Sequence, residues 1–130
     1  MKYPLIVFAV ILAVVFPSCR KEWSPGMPLA KENVRIGVLH ITDPFNETSG
    51  YAYAHQTGIA QMQRDLDLED SQILYRTHVD YTSPMGAEST IRELIARGAN
   101  IIIATSWGYM EDCERLAQEY PSVIDRKSVV

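Results

Sequence analysis

The chain has 130 residues, of which 47% are hydrophobic and 22% charged, and its formal net charge is −4. This length allows one small domain, and the composition excludes a disordered, collagen-like or disulfide-rich chain. The acidic balance comes without a cluster of Lys and Arg that would neutralise a phosphate backbone. Nucleic-acid binding is therefore disfavoured as a primary role.

Residues 1–18 have the pattern of an export signal. Lys2 precedes an almost wholly apolar run, Tyr3–Phe16, which is too short to span a bilayer as a permanent helix. Phe16-Pro17-Ser18-Cys19 resembles the bacterial lipobox, in which the Cys becomes the first mature residue and carries lipid. We therefore predict that Cys19 is lipidated, that residues 19–33 are a tether, and that the protein is anchored to the outside of the cell membrane. The alternatives are an ordinary secretory signal cleaved nearby and an uncleaved anchor.

The last six residues, 125–130, interrupt the pattern of the preceding chain. Their sequence, Asp-Arg-Lys-Ser-Val-Val, is one reading frame of a widely used sequencing adapter. We predict that they are a non-native tail and that the chain is an N-terminal fragment of a longer protein. Residues 34–124 then form the globular part.

The first half of this globular part predicts strand, helix and strand. Val34–Leu39 is short and rich in β-branched residues, as is typical of a strand, and Ile73–Val79 predicts a second strand. Between them a helical pattern follows the turn-rich stretch 42–50. Its predicted buried face consists of residues spaced three and four apart: Ala54, Gly58, Ile59, Met62 and Leu66.

The second half repeats the alternation. Ser83 and Pro84 predict a helix start, with Ser as the N-cap and Pro at the first helical position, and Gly98 predicts its end. Asn100–Thr105 is a continuous apolar run typical of a parallel strand covered on both faces. A third helix is predicted from about Tyr109 to Glu119, and a fourth strand begins at 122–124. The order βαβαβαβ predicts an α/β fold with a parallel sheet, flanking helices and right-handed crossovers.

Candidate site residues lie in the loops that follow the predicted strands, because open parallel sheets bind ligands beyond the carboxyl ends of their strands. Three loops qualify: 40–50, 80–83 and 106–109. The first loop leads into a helix that begins with Tyr51, and the third loop carries Trp107. Together with short polar groups of the two loops these give the candidate site residues Asp43, Asn46, Glu47, Tyr51, Ser106 and Trp107. Such a set suits a flat heterocycle bearing hydroxyl groups, with aromatic stacking on its faces. The alternative for each aromatic residue is packing against the end of the sheet.

Five segments of the chain resemble one family. They are Arg35–Leu39, Asn46–Gly50, Gly50–His55, Ile91–Leu94 and above all Ala104–Met110, which reads Ala-Thr-Ser-Trp-Gly-Tyr-Met. In order and spacing they are similar to the basic membrane protein family, the substrate-binding lipoproteins of ABC importers. Many of its members are purine-nucleoside receptors with a type I periplasmic-binding-protein fold, and the resemblance is to its Med or purine-nucleoside receptor-like members.

The resemblance implies part of the first lobe of such a fold, with a nucleoside-like ligand and ABC permease subunits as partners. It makes Tyr51 the counterpart of a stacking aromatic residue, and Asn46 and Glu47 the counterparts of a polar pair that often ends in Asp. Trp107 stands where the family usually has Phe. His55 matches a frequent family His and is expected to form structural hydrogen bonds.

The sequence predicts no metal site, no cofactor and no catalytic centre. The three His residues have no paired spacing, and no Ser, Cys or Lys nucleophile has a base placed beside it. Cys113 shares a helical face with Leu116, Ala117 and Tyr120, which favours core packing over a reactive thiol.

Two functions therefore follow from the sequence. The first is a lipid-anchored extracytoplasmic receptor that binds a purine nucleoside or a similar molecule between two lobes for an ABC importer. The alternative is the ligand-sensing ectodomain of a signalling protein with the same fold.

Overall fold

The computed structural model describes residues 28–83 and 85–127, with the backbone alone for 124–127. The predicted signal segment, Cys19 and residues 128–130 lie outside this described part. The strands are β1 Ile36–Leu39, β2 Ile73–Arg76, β3 Ile101–Ala104 and β4 Ile124–Lys127, and the α-helices are α1 Tyr51–Asp65, α2 Glu88–Ala96 and α3 Met110–Glu119. Single 3-10 turns are formed by Lys31–Asn33, Asp70–Gln72 and Trp107–Tyr109.

The strands form one parallel sheet in the order β2-β1-β3-β4. The central strand β1 pairs on both sides, so that Leu39 lies beside Arg76 in β2 and beside Ala104 in β3. The predicted α/β class, with a parallel sheet and flanking helices, is confirmed.

Two apolar cores cover the two faces of the sheet. On one face α1 packs against the strands through Ile36, Val38, Ile59 and Ile73. On the other face α2 and α3 pack against it through Leu39, Ile91, Leu94, Ile102, Ala104, Cys113 and Leu116. The thiol of Cys113 is buried in this second core, which confirms the packing interpretation.

The predicted inner face of α1 is partly wrong. Ile59 is buried and Met62 half-buried, but Ala54, Gly58 and Leu66 are exposed. The sheet-facing side instead includes polar Gln56, which bonds to Tyr75 of β2. The buried face of α1 is therefore rotated about the helix axis relative to the face that its apolar residues alone predict.

The second helix begins later than predicted. Ser83 accepts the N–H of Gly86 through both its carbonyl and its hydroxyl, so it closes a turn and does not cap the helix. Gly86 has φ of +48°, a left-handed conformation that an α-helix cannot pass through. Helix α2 therefore starts at Glu88, where Asp112 of α3 accepts the N–H of Ala87 at 2.8 Å. The predicted end is confirmed, since Gly98 has φ of +96° and follows the C-cap Arg97.

Two strand ends also differ from the prediction. Strand β2 stops at Arg76 because His78, with φ of +55°, turns the chain, although Val79 still donates its N–H to His40 O. Strand β4 runs through Asp125, Arg126 and Lys127 alongside β3. The non-native origin of residues 125–130 stays a prediction.

Gly37 allows α2 to lie against the sheet. A Cβ at this position would meet Ile102 Cδ1 at 2.9 Å and Leu94 Cδ1 at 3.0 Å. Only a residue without a side chain permits this closeness in a close-packed core.

We expect Gly37→Ala to lower the free energy of unfolding by about 1–3 kcal/mol, because the added methyl group overpacks this contact. Gly58→Ala is the matched control, since a Cβ there meets no atom within 4 Å. It should raise stability by about 0.5–1 kcal/mol through helix propensity. Denaturant titration of both variants measures the difference, and equal effects would contradict the packing argument.

Candidate functional site

The candidate site lies at the carboxyl ends of β1 and β3. These strands are neighbours, yet α1 leaves β1 on one face of the sheet and α3 follows β3 on the other. Such a switch point opens a crevice in doubly wound sheets. His40 and Thr105 directly follow the paired residues Leu39 and Ala104, so they stand side by side at its base.

The loop from β1 to α1 is held by its own carboxylate. Asp43 Oδ1 accepts the N–H of Phe45 at 3.1 Å, and Asp43 Oδ2 accepts the side-chain N–H of Asn46 at 2.6 Å. The structure thus brings Asp43 and Asn46 together. Both oxygens of Asp43 accept hydrogen bonds within the loop and stabilise its conformation.

Glu47 and Tyr51 lie where this loop enters α1. The Glu47 carboxylate lies near Gly50, the N-cap residue, whose φ of +98° suits glycine. Tyr51 is 51% exposed, and its ring meets the His55 ring edge-to-face, with centroids 4.3 Å apart. About half of Tyr51 is therefore exposed to solvent, so packing against the sheet end does not fully account for it.

Ser106 and Trp107 form the loop after β3. Ser106 caps the turn Trp107–Tyr109, because its Oγ accepts the N–H of Gly108 at 3.2 Å. The Trp107 side chain is 71% exposed, so core packing does not account for it. Both predicted aromatic residues therefore present open surface at the switch point.

Tyr81, in the loop after β2, is a neighbour of this site that the sequence analysis missed. A Cβ on Gly108 would lie 2.5 Å from Tyr81 Cγ, so the ring rests on the backbone next to Trp107. The ring also meets Tyr109 edge-to-face at 6.4 Å. The glycine that directly follows Trp107 was the only sequence signal of this contact. A glycine alone does not indicate which loop packs on it, so Tyr81 could not be identified from the sequence.

Tyr109 fixes the position of this turn. Its ring is fully buried, and its hydroxyl donates to Val79 O at 2.7 Å. Burial raises the pKa of Tyr109 well above its usual range. The loop after β3 is thereby tied to the loop after β2.

A buried polar cluster underlies the site and was also missed. His40 is 0% exposed; its Nδ1 lies 3.1 Å from Thr105 Oγ1 and its Nε2 lies 3.1 Å from Gln56 Oε1. Gln56 continues to the Tyr75 hydroxyl at 3.0 Å. His40 and Thr105 follow β1 and β3, Gln56 lies in α1 and Tyr75 in β2, so no spacing along the chain could have joined them.

Burial lowers the pKa of His40, because the imidazolium loses its hydration. The hydrogen bond to Gln56 opposes this effect, and so do the negative charges of Asp43 and Glu47, while the charge of His55 adds to it. The pKa of His55 is lowered by burial as well. Both carboxylates of the first loop are thus close enough to His40 to influence its charge.

The described residues, 28–83 and 85–127, contain neither a metal-binding cluster nor a membrane-spanning helix. Within these ranges no group of three or more His, Cys, Asp or Glu side chains is arranged to hold a metal ion. In the same ranges no helix is both long and apolar enough to cross a bilayer.

Comparison with known proteins identifies the fold. No protein-family model matches the chain, and no curated protein matches it in sequence. Among solved structures, it is similar to an ABC transporter solute-binding protein from Conexibacter woesei, with a TM-score of 0.55 and 20% identity over 71% of this chain. The match covers 28% of that protein, so the chain spans less than a third of its length. The shared property is the periplasmic-binding-protein fold.

We expect Gly108→Ala to lower the free energy of unfolding by about 1–3 kcal/mol, because its methyl group displaces the Tyr81 ring. The same change should cost much less in a Tyr81→Ala background, where the ring is gone. A double-mutant cycle by denaturant titration measures this coupling. Additive effects would show that the ring does not rest on Gly108.

Proposed function

We propose that this chain is part of an extracytoplasmic solute receptor of an ABC importer. The observation that carries the proposal is the pair of exposed aromatic residues, Tyr51 and Trp107, on the two loops that leave the switch point. Polar side chains of Asp43, Asn46 and Ser106 lie on the same loops. An open aromatic surface with fixed polar groups is the composition of a small-molecule site.

The ligand we propose is a purine nucleoside or a similar molecule. Each aromatic face can stack on a heterocycle, which contributes roughly 1–3 kcal/mol per base. Carboxylate and amide oxygens of Glu47 and Asn46 suit the hydroxyl and amino groups of such a ligand. The resemblance to the basic membrane protein family supports this ligand class over a sugar or an amino acid.

The proposed receptor has a second lobe that closes over this surface and permease subunits that receive the ligand. The length of the similar solute-binding protein supports a further lobe, since this chain covers 28% of it. We also propose that Cys19 carries the lipid that holds the receptor at the outer side of the membrane. The lipobox-like run Phe16–Cys19 supports this anchor.

We expect Trp107→Ala, made in the product of the complete reading frame, to weaken nucleoside binding by about 1–3 kcal/mol, roughly tenfold or more. The reason is the loss of one stacking face. Calorimetric titration against nucleosides, sugars and amino acids measures the affinity and the selectivity together.

Leu66→Ala is the matched control for this experiment. Leu66 is also exposed and apolar, but it lies at the C-cap of α1, at the opposite end of the helix from Tyr51. Its affinity should equal that of the wild type. A folded wild type that binds no nucleoside would remove the proposed ligand, and unchanged affinity in Trp107→Ala would remove Trp107 from the site.

The genomic sequence that follows codon 124 tests the transport role. We expect the reading frame to continue into a second lobe, to stop after roughly 300 residues in total, as suits two lobes of ordinary domain size, and to have permease and ATPase genes beside it. A transmembrane segment followed by a kinase or cyclase domain would instead identify a sensor ectodomain. Genomic sequence that keeps the codons for 125–130 and continues past Val130 would contradict the predicted tail.

A further inference from the structure

The buried cluster at the base of the site has a definite direction of hydrogen bonding. Thr105 Oγ1 lies 2.7 Å from Leu39 O and 3.1 Å from His40 Nδ1. A hydroxyl carries one hydrogen, and two oxygens at 2.7 Å without a hydrogen between them would repel. The Thr105 hydroxyl therefore donates to Leu39 O, and its oxygen accepts from His40 Nδ1–H.

This assignment determines what the other ring nitrogen does. A neutral imidazole has one N–H, so with hydrogen on Nδ1 its Nε2 is an acceptor. Gln56 must then donate its amide N–H to His40 and accept from the Tyr75 hydroxyl. When the ring is protonated, Nε2 also donates, and Gln56 presents Oε1 to His40 and its N–H to Tyr75, as the contacts have it here. The two amide orientations occupy the same space, so each satisfies every hydrogen-bonding group of the cluster. The cost of protonation is the positive charge that it places on a ring that is 0% exposed.

We infer that His40 is a positioning residue of the proposed site, neutral with its hydrogen on Nδ1 in the binding form, and that its protonation reverses the Gln56 amide and weakens ligand binding. This inference rests on the proposed function for its effect on affinity. The tautomer of the ring does not depend on it.

The cluster reaches all three segments that carry the site. Thr105 directly precedes Ser106 and Trp107, and Gln56 belongs to the helix that begins at Tyr51. The Tyr75 ring supports Phe45 of the first loop edge-to-face, with centroids 5.1 Å apart. A change at His40 therefore acts on the loops through their anchors and without contact to the ligand.

The charged groups around His40 set the direction of the pH effect. The first loop contributes Asp43 and Glu47, α1 contributes His55, and β2 contributes the Tyr75 phenol. The partner that directly follows β3 is the uncharged Thr105. Burial is the largest influence and lowers the pKa of His40 below the ordinary 6.5. The unfolded chain then binds more protons than the folded one as pH falls below about 6.5, so the folded site loses stability on acidification.

The first test reads the tautomer of the ring directly. In the product of the complete reading frame, labelled with nitrogen-15 in histidine, long-range proton–nitrogen spectra at pH 7.5 should show His40 with a protonated Nδ1 and a bare Nε2. Loss of the signals in His40→Asn assigns them. A His40 ring protonated on Nε2 alone would overturn the inference, whether or not any ligand binds.

The second test follows nucleoside affinity between pH 7.5 and pH 5.5. We expect a several-fold fall in the wild type and a flatter profile in His40→Asn, whose amide still reaches Thr105 but does not titrate. His40→Gln, whose amide reaches Gln56, is a second non-titrating variant in case the first fails to fold. His78→Asn is the control, because His78 is exposed on another loop and Asn tolerates its left-handed backbone.

The two tests separate the inference from the proposed function. Identical pH profiles in the wild type and in a folded non-titrating variant would overturn the positioning role. A wild type that binds no nucleoside at either pH would contradict the proposed ligand, while the nitrogen spectra still decide the tautomer of His40.

Discussion

The position of β1 between β2 and β3 is the constraint on which the rest of this structure depends. After β2 the chain must cross over β1 to reach β3, and right-handed crossovers then place α1 on one face and α2 with α3 on the other. The loops after β1 and β3 leave in opposite directions from adjacent strand ends. The open space between them, and the exposed aromatic residues beside it, follow from this single reversal.

The two faces of β1 are packed differently: the face towards α2 makes close apolar contacts, and the face towards α1 ends in a hydrogen-bonded polar side chain. Towards α2, Gly37 lets the helix approach so closely that Leu94 and Ile102 fill the space of a side chain. Towards α1, the end of the strand carries His40, whose two ring nitrogens are both bonded. A buried polar side chain is tolerated there because its partners satisfy it, and the same bonds hold α1 and β3 to β1.

Ion pairs between α2 and α3 lie at the periphery of this arrangement. Arg92 bonds to Glu88 and Glu119, and its guanidinium holds the pKa of Glu119 below its usual range. These side chains are 30–48% exposed and therefore in contact with solvent, and ion pairs at a protein surface contribute little to stability. The apolar core around Cys113 and Leu116, together with the bond from Ala87 to Asp112, accounts better for the position of α3.

Much of the fold was predictable because its signals are local. The apolar run at 101–104 and the glycine at position 98 each reflect a requirement of the local backbone, so strand β3 and the end of α2 were predicted correctly. The candidate loops followed from the same alternation, because loop position depends only on the order of the elements. The start of α2 was predicted wrongly, since it depends on Gly86 and on Asp112 from another helix.

The sequence by itself therefore determined the α/β class, the order of the elements and the loops that carry Tyr51 and Trp107. Only the tertiary structure decided that Gln56 faces inward, that His40 and Thr105 meet, and that Tyr81 lies on Gly108. Residues far apart in the chain become neighbours only through strand order and helix packing. The sequence does not distinguish a polar residue that is buried and hydrogen-bonded across such a contact from one that is exposed to water.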